Sequence, residues 1–163
     1  MTDPAYQRVI STLTTELELV DELHYRHHVC LLLLGIGDST YLGVALDDLA
    51  AAEEELSRID LLRAAAVGEL AVRWDLDPAA ARLSDLIARA DETTAPPLTE
   101  LRTRLRSSTA ELAETRELVT SLAGEHLGAV RERREAVERG PADSYDRSGR
   151  SLRSVRGTTR LHA

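Results

Sequence analysis

Phenylalanine and lysine are missing from this sequence, and cysteine, methionine and tryptophan occur once each. Aromatic residues make up only 3% of the chain, too few for the aromatic-lined apolar pocket on which most globular enzymes rely. The lone Cys30 excludes an intramolecular disulfide and fits a cytoplasmic location. It stands beside an apolar seam and reads as a small buried hydrophobe. The longest apolar run, Val29 to Leu34, is six residues, against the ~20 needed to span a bilayer, so no membrane insertion is expected. The opening MTDPAYQR is polar and has no apolar core of a secretory signal. Nowhere do β-branched or aromatic residues alternate over four or more positions, so no strand is expected. All basic residues are arginine, which we read as coding bias rather than chemistry.

What is present is helix-forming. Ala, Leu, Glu and Arg dominate. Hydrophobic content of 43% with 29% charged residues places the chain among folded helical or coiled-coil proteins rather than disordered ones. The net charge of −8 is unevenly placed. Residues 139–163 hold six Arg against Asp143 and Asp146, and the remainder is strongly acidic. An acidic body argues against nucleic acid as a partner, because phosphate contacts need clustered positive charge.

Spacing supplies the architecture. Ile10, Leu13, Leu17, Val20, Leu31 and Leu34 step by threes and fours, with His24 and His27 filling the intervening steps. This predicts a helix from about residue 4, capped by Asp3 with Pro4 in its first turn, to about Leu34. Gly35 and Gly37 end it. Asp38 or Ser39 is expected to cap a second helix running to Trp74, with Leu42, Leu46, Leu49, Leu56, Ile59 and Leu62 on its apolar stripe. A short turn between two such stripes implies antiparallel packing. Asp77 and Pro78 are expected to open a short helix reaching about Ala90, and Pro96-Pro97 to bar any helix until Leu98. A long final helix then runs to about Glu138, striped by Leu98, Leu101, Leu105, Leu112, Val119, Leu122, Val130 and Val137, with Ser108, Thr115 and His126 as polar steps. The expected fold is therefore all-α: an elongated, coiled-coil-like antiparallel hairpin or bundle of two long helices, a short connecting helix and a long final helix. Residues 1–139 form the domain and 140–163 a disordered basic tail.

Candidate sites are few. His24 and His28 are spaced i, i+4 to share a metal on one helix face, but a metal needs three or four ligands and the positions between them supply Arg26 rather than carboxylates. A polar layer inside the bundle is the expected role of the histidines, and neither a metal nor another cofactor is expected. The carboxylates Asp47-Asp48 and Glu53-Glu54-Glu55 read as a solvated face, and no Glu-x-x-His pair of the di-iron type occurs. No Gly-x-Ser-x-Gly elbow, phosphate loop or paired zinc cysteines occur. Nothing points to catalysis. Trp74 and Tyr41 are expected to plug the ends of the bundle. Tyr145 is an isolated aromatic in a polar segment and a candidate recognition anchor.

The order of these pieces resembles the FlgN family of flagellar type III export chaperones in its actinobacterial form. The resemblance runs from about Leu13 to Gly149. It rests on LLLLGIGDSTYL at the first turn, Arg73-Trp74 closing the second helix, the Pro-led DPAAARLSDLIARA, the long LTELRTRLRSSTAELAETRELVTSLAGEHL, and SYDRSGR beyond it. The chain departs from the family pattern late in the first helix, where a His-rich segment stands in place of a Glu. The resemblance implies a cytoplasmic, non-enzymatic protein that binds the C-terminal helices of the hook–filament junction proteins FlgK and FlgL. It implies that the chaperone keeps them unassembled and delivers them to the export gate protein FlhA. It implies client contacts on the final helix, here Leu112, Val119, Leu122, Leu127 and Val130, and an export-gate contact around Tyr145. The rival from the residues alone is a coiled-coil dimerisation module without a client, a homodimer in the simplest case. A helical-bundle metal or haem protein built on His24 and His28 is a third.

Overall fold

A computed structural model of the protein describes residues 3–139. Among them are four helices and no strand: α1 (Pro4–Gly35), α2 (Leu42–Arg73), α3 (Leu83–Arg89) and α4 (Ala95–Arg139). The all-α expectation is met. The chain forms two compact units, Met1–Gly124 and Glu125–Ala163. The first holds α1, α2, α3 and α4 as far as Gly124. The second begins within the last turns of α4. The proposed tail, 140–163, lies outside the described residues.

α1 starts as its sequence dictates. The Asp3 carboxylate accepts from the Ala5 amide at 2.9 Å, and Pro4 occupies a position whose amide needs no partner. The Ala5 amide, and after it Arg73, hold the Asp3 carboxyl below its usual range. Arg73, from the far end of α2, bonds the same carboxylate at 2.9 and 3.1 Å, so the cap also pins one end of the hairpin.

Both long helices end in the same geometry. At the end of α1, Gly37 takes φ +69°, Asp38 N–H donates to Leu33 O at 3.0 Å and Gly37 N–H to Leu34 O at 3.2 Å. At the end of α2, Asp75 takes φ +54°, Leu76 N–H donates to Ala71 O at 3.0 Å and Asp75 N–H to Val72 O at 3.2 Å. These paired bonds satisfy the last carbonyls of each helix and reverse the chain. The second stop falls at Trp74 as expected, with Asp rather than Gly in the left-handed position.

Three boundaries differ from expectation. α2 begins at Leu42, three residues later than expected. Neither Asp38 nor Ser39 caps it, and the Asp38 carboxylate instead accepts from the Thr40 amide at 2.8 Å inside the turn. Asp77 accepts from the Ala79 amide at 3.0 Å, but this makes a turn and not a helix. α3 starts only at Leu83, where Asp85 reaches back to the Arg82 amide at 2.9 Å. Pro96 and Pro97 do not bar α4. They lie in its first turn, where the missing amides cost nothing. Asp91 organises the approach by accepting from the amides of Thr93 at 3.1 Å and Thr94 at 2.8 Å.

The core of the first unit has two parts. One gathers Tyr6, Val9, Leu13, Leu17 and Val20 of α1 with Leu70 of α2, Leu86 of α3 and Leu98 and Leu105 of α4. The other gathers Leu23, Cys30 and Leu34 of α1 with Leu49 and Ala52 of α2 and Val119 of α4. Every long helix contributes to both, so α1 is packed by α2 and α4 along its length. Trp74 closes one end as expected, its ring 5.3 Å from that of Tyr6. Tyr6 donates to Leu86 O at 3.1 Å and so ties α3 down. Burial, with Asp91 and Asp3 adding negative charge, pushes its phenol up to about 12. Tyr41 is exposed and plugs nothing. Leu46 and Leu62 also face outward, because the stripe of α2 turns through Leu42, Leu49, Ala52, Leu56 and Ile59 instead.

Two stability predictions follow from this packing. A side chain on Gly37 would meet nothing within 4 Å, so Gly37→Ala should cost about 1–2 kcal/mol through its left-handed backbone alone. Leu13→Ala empties a fully buried site and should cost about 2–5 kcal/mol. Urea unfolding followed by circular dichroism measures both.

Candidate functional site

α4 carries the residues that the resemblance marks for client contact. Along it, Thr99, Thr103, Thr115 and Thr120 each turn the hydroxyl onto the carbonyl four residues back, at 2.8–2.9 Å. The apolar positions then decide which part is committed. In the first unit, Leu98, Leu105 and Val119 are buried, and Leu101, Leu112 and Leu122 are half-buried against the two cores. Leu112, Val119 and Leu122 are therefore structural in this state of the molecule. In the second unit, Leu127, Val130 and Val137 are 57%, 50% and 82% exposed. They stand three and seven residues apart, on one helical face. Of the five client-contact candidates, Leu127 and Val130 alone offer a free apolar surface. Val137 joins them, although the sequence stripe gave it no separate role. Arg134 pairs with Glu138 at 2.9 Å in the same turns. Tyr145 lies outside the described residues.

His24 and His27 make a polar layer between the helices, and His28 lies outside it. His24 Nε2 lies 3.0 Å from Thr115 Oγ1. The Thr115 hydroxyl already donates to Glu111 O at 2.9 Å, so it accepts the Nε2 proton of His24. This bond joins α1 to α4. His27 is buried and donates from Nδ1 to Leu23 O at 2.8 Å. His28 is exposed and donates from Nδ1 to His24 O at 3.0 Å. The His24 and His28 rings meet edge to face, with centroids 4.6 Å apart. Among the described residues, no three His, Cys, Asp or Glu side chains gather as metal ligands.

Beside this layer is an open cleft of about 250 Å³, lined in part by His27, Glu53, Ser57, Leu112 and Arg116. Glu53 approaches Arg116 at 3.6 Å, which links α2 to α4. The Ser57 hydroxyl donates to Glu53 O at 3.0 Å rather than facing a base. The cleft thus holds a cross-helix ion pair and presents no activated nucleophile.

One buried charge was missed in the sequence. Glu16 falls one residue before the seam position Leu17, and its side chain is only 7% exposed. One oxygen meets Arg63 at 2.9 Å, and the other has no partner within the protein. Arg63 also binds Asp60 at 2.9 Å, so it keeps a partner without Glu16. Burial pushes the Glu16 carboxyl up, Arg63 opposes this, and Asp60 adds to it.

No protein-family model, curated protein or solved structure matches the chain.

Glu16 gives a pH-dependent prediction. Its folded-state pKa is raised, so folding favours the protonated form. Its unfavourable contribution is absent below the ordinary carboxylate range and appears as pH rises through the folded value. Glu16→Gln should therefore melt higher than the wild type at neutral pH. The gain should shrink on acidification to about pH 4, as thermal melts across that range would show.

Proposed function

We propose that the protein is a non-enzymatic helical export chaperone of the FlgN type, acting in the cytoplasm on hook–filament junction proteins like FlgK and FlgL. The observation that supports this reading most is the exposed apolar face of α4 at Leu127, Val130 and Val137. A chaperone for a helical subunit needs such a face. The subunit's own amphipathic helix would otherwise associate with its neighbours, and an apolar helix face covers it without chemistry. The scarcity of aromatic residues and of activated side chains supports binding rather than catalysis. The all-α fold and the order of long, short and long helices agree with the family pattern. No helix among the described residues is long and apolar enough to cross a membrane.

On this reading, Leu127 and Val130 make the first client contact. Leu112, Val119 and Leu122 hold α4 on the hairpin so that the free face is presented. Delivery to an FlhA-like gate would then use the segment around Tyr145. Release needs only modest affinity, which suits a face of three medium-sized side chains.

The double variant Leu127→Asp/Val130→Asp should lose at least tenfold in co-purification with an FlgK- or FlgL-like partner. Both side chains are exposed, so helicity and melting temperature should hold. Undiminished capture of the partner would overturn the assignment. A stable homodimer that the double substitution dissociates, with no binding of candidate clients, would favour the dimerisation module.

A further inference from the structure

α1 carries two apolar stripes in its last turns. Leu23, Cys30 and Leu34 face the core. Tyr25, Val29, Leu32 and Ile36, stepping by four, three and four, do not. Tyr25, Leu32 and Ile36 are each about 70% exposed, at 69%, 68% and 74%, and Val29 is half-buried. At the start of α2, Val44 is 61% exposed, and Tyr41, just before the helix, is 64% exposed. Between the two helices is a groove of about 270 Å³ lined by Tyr25, Val29 and Ala45 together with Glu22, Arg26 and Asp48.

The charge around the groove is mostly negative. Residues 18–60 hold ten Asp and Glu against Arg26 and Arg58. Both arginines are already used: Arg26 binds Glu22 at 2.6 Å and the Asp48 carbonyl, and Arg58 binds Glu55. Among the described residues, the carboxylates of Glu18, Asp21, Asp47 and Asp48 have no cationic partner. A second copy docking face to face would bring the same charge against itself, which disfavours a symmetric dimer here.

We propose that this groove is an interaction surface for an amphipathic helix of a partner protein, with an apolar ridge at i, i+3 or i+4, and i+7 flanked by Arg or Lys. The ridge seats on Tyr25, Val29, Leu32, Val44 and Ala45, and the flanking cations meet Asp21, Asp47 and Asp48. It is a face distinct from the one proposed for the client on α4, and it stands without that reading.

The test uses the full-length protein and two labelled helical peptides with the same leucine ridge, one flanked by Arg and the other by Glu. Fluorescence anisotropy reads binding at low and high salt. The Arg-flanked peptide should bind and weaken with salt, and the Glu-flanked one should not bind. Leu32→Ser/Val44→Ser should weaken binding roughly tenfold or more, with helicity unchanged because both positions are exposed. Asp47→Asn/Asp48→Asn should flatten the salt dependence. Binding that survives Leu32→Ser/Val44→Ser, or equal binding of the Glu-flanked peptide, overturns the proposal. So does sedimentation showing a wild-type dimer that Leu32→Ser/Val44→Ser dissociates, which would assign the face to self-association. The peptide measurements are made in the Leu127→Asp/Val130→Asp background, which removes the α4 face, so binding that remains there and is lost on adding Leu32→Ser/Val44→Ser belongs to the groove, and failure of the α4 assignment and failure of this one are told apart.

Discussion

The buried stripe of α1 is the constraint on which the first unit depends. Val9, Leu13, Leu17, Val20 and Leu23 are each almost wholly removed from water, and they are covered from more than one side. α2 supplies Leu49 and Leu70, α3 supplies Leu86, and α4 supplies Leu98, Leu105 and Val119. None of these elements could bury its own apolar face without α1. α3 is the clearest case, since seven residues cannot hold a helix in water and it survives on Leu86 and the Tyr6 hydroxyl. With so few aromatics, the core is built largely from leucine and valine, and polar contacts also join the helices. His24 with Thr115, Glu53 with Arg116 and Glu16 with Arg63 each link two different helices.

Much of this was legible in the sequence. The three- and four-residue spacing of α1 gave both its extent and its core face, and the Asp3-Pro4 start follows from cap chemistry that depends on neighbours alone. The failures share a cause. Asp38, Ser39 and Asp77 are good caps locally, but the Asp38 and Asp77 carboxylates satisfy turn amides because the chain reverses there. Pro96-Pro97 can break or begin a helix, and the choice depends on whether Asp91 first turns the chain. Leu46 and Leu62 continue a plausible stripe on α2, yet a helix with 3.6 residues per turn drifts off any fixed spacing over nine turns. Which face meets α1 and α4 is then decided by packing, not by the leucines themselves. The buried Glu16 was invisible for the same reason, because its partner Arg63 is supplied by another helix.

The candidate surfaces were partly legible. The stripe of α4 is continuous in sequence from Leu98 to Val137, and nothing in its spacing says where burial stops. In the structure it divides. Leu112, Val119 and Leu122 have partners in the first unit, whereas Leu127, Val130 and Val137 present apolar area to solvent. The apolar run Val29–Leu34 hid a similar division. A six-residue run on a helix reaches every face, so it fills the core and leaves Leu32 outside. In both places, excess apolar surface beyond what the fold consumes is the physical basis for assigning a binding role.

The central claim is that the end of α4 is left apolar and free in order to accept a client helix. Amide hydrogen exchange of residues 125–139, with and without an FlgK- or FlgL-like C-terminal helix, tests it most directly. Alone, these amides should exchange much faster than those of α1 around Leu13 and Val20. With the helix added, they should become protected while the α1 amides stay as they were. Unchanged exchange across 125–139 in the presence of saturating client helix would contradict the account.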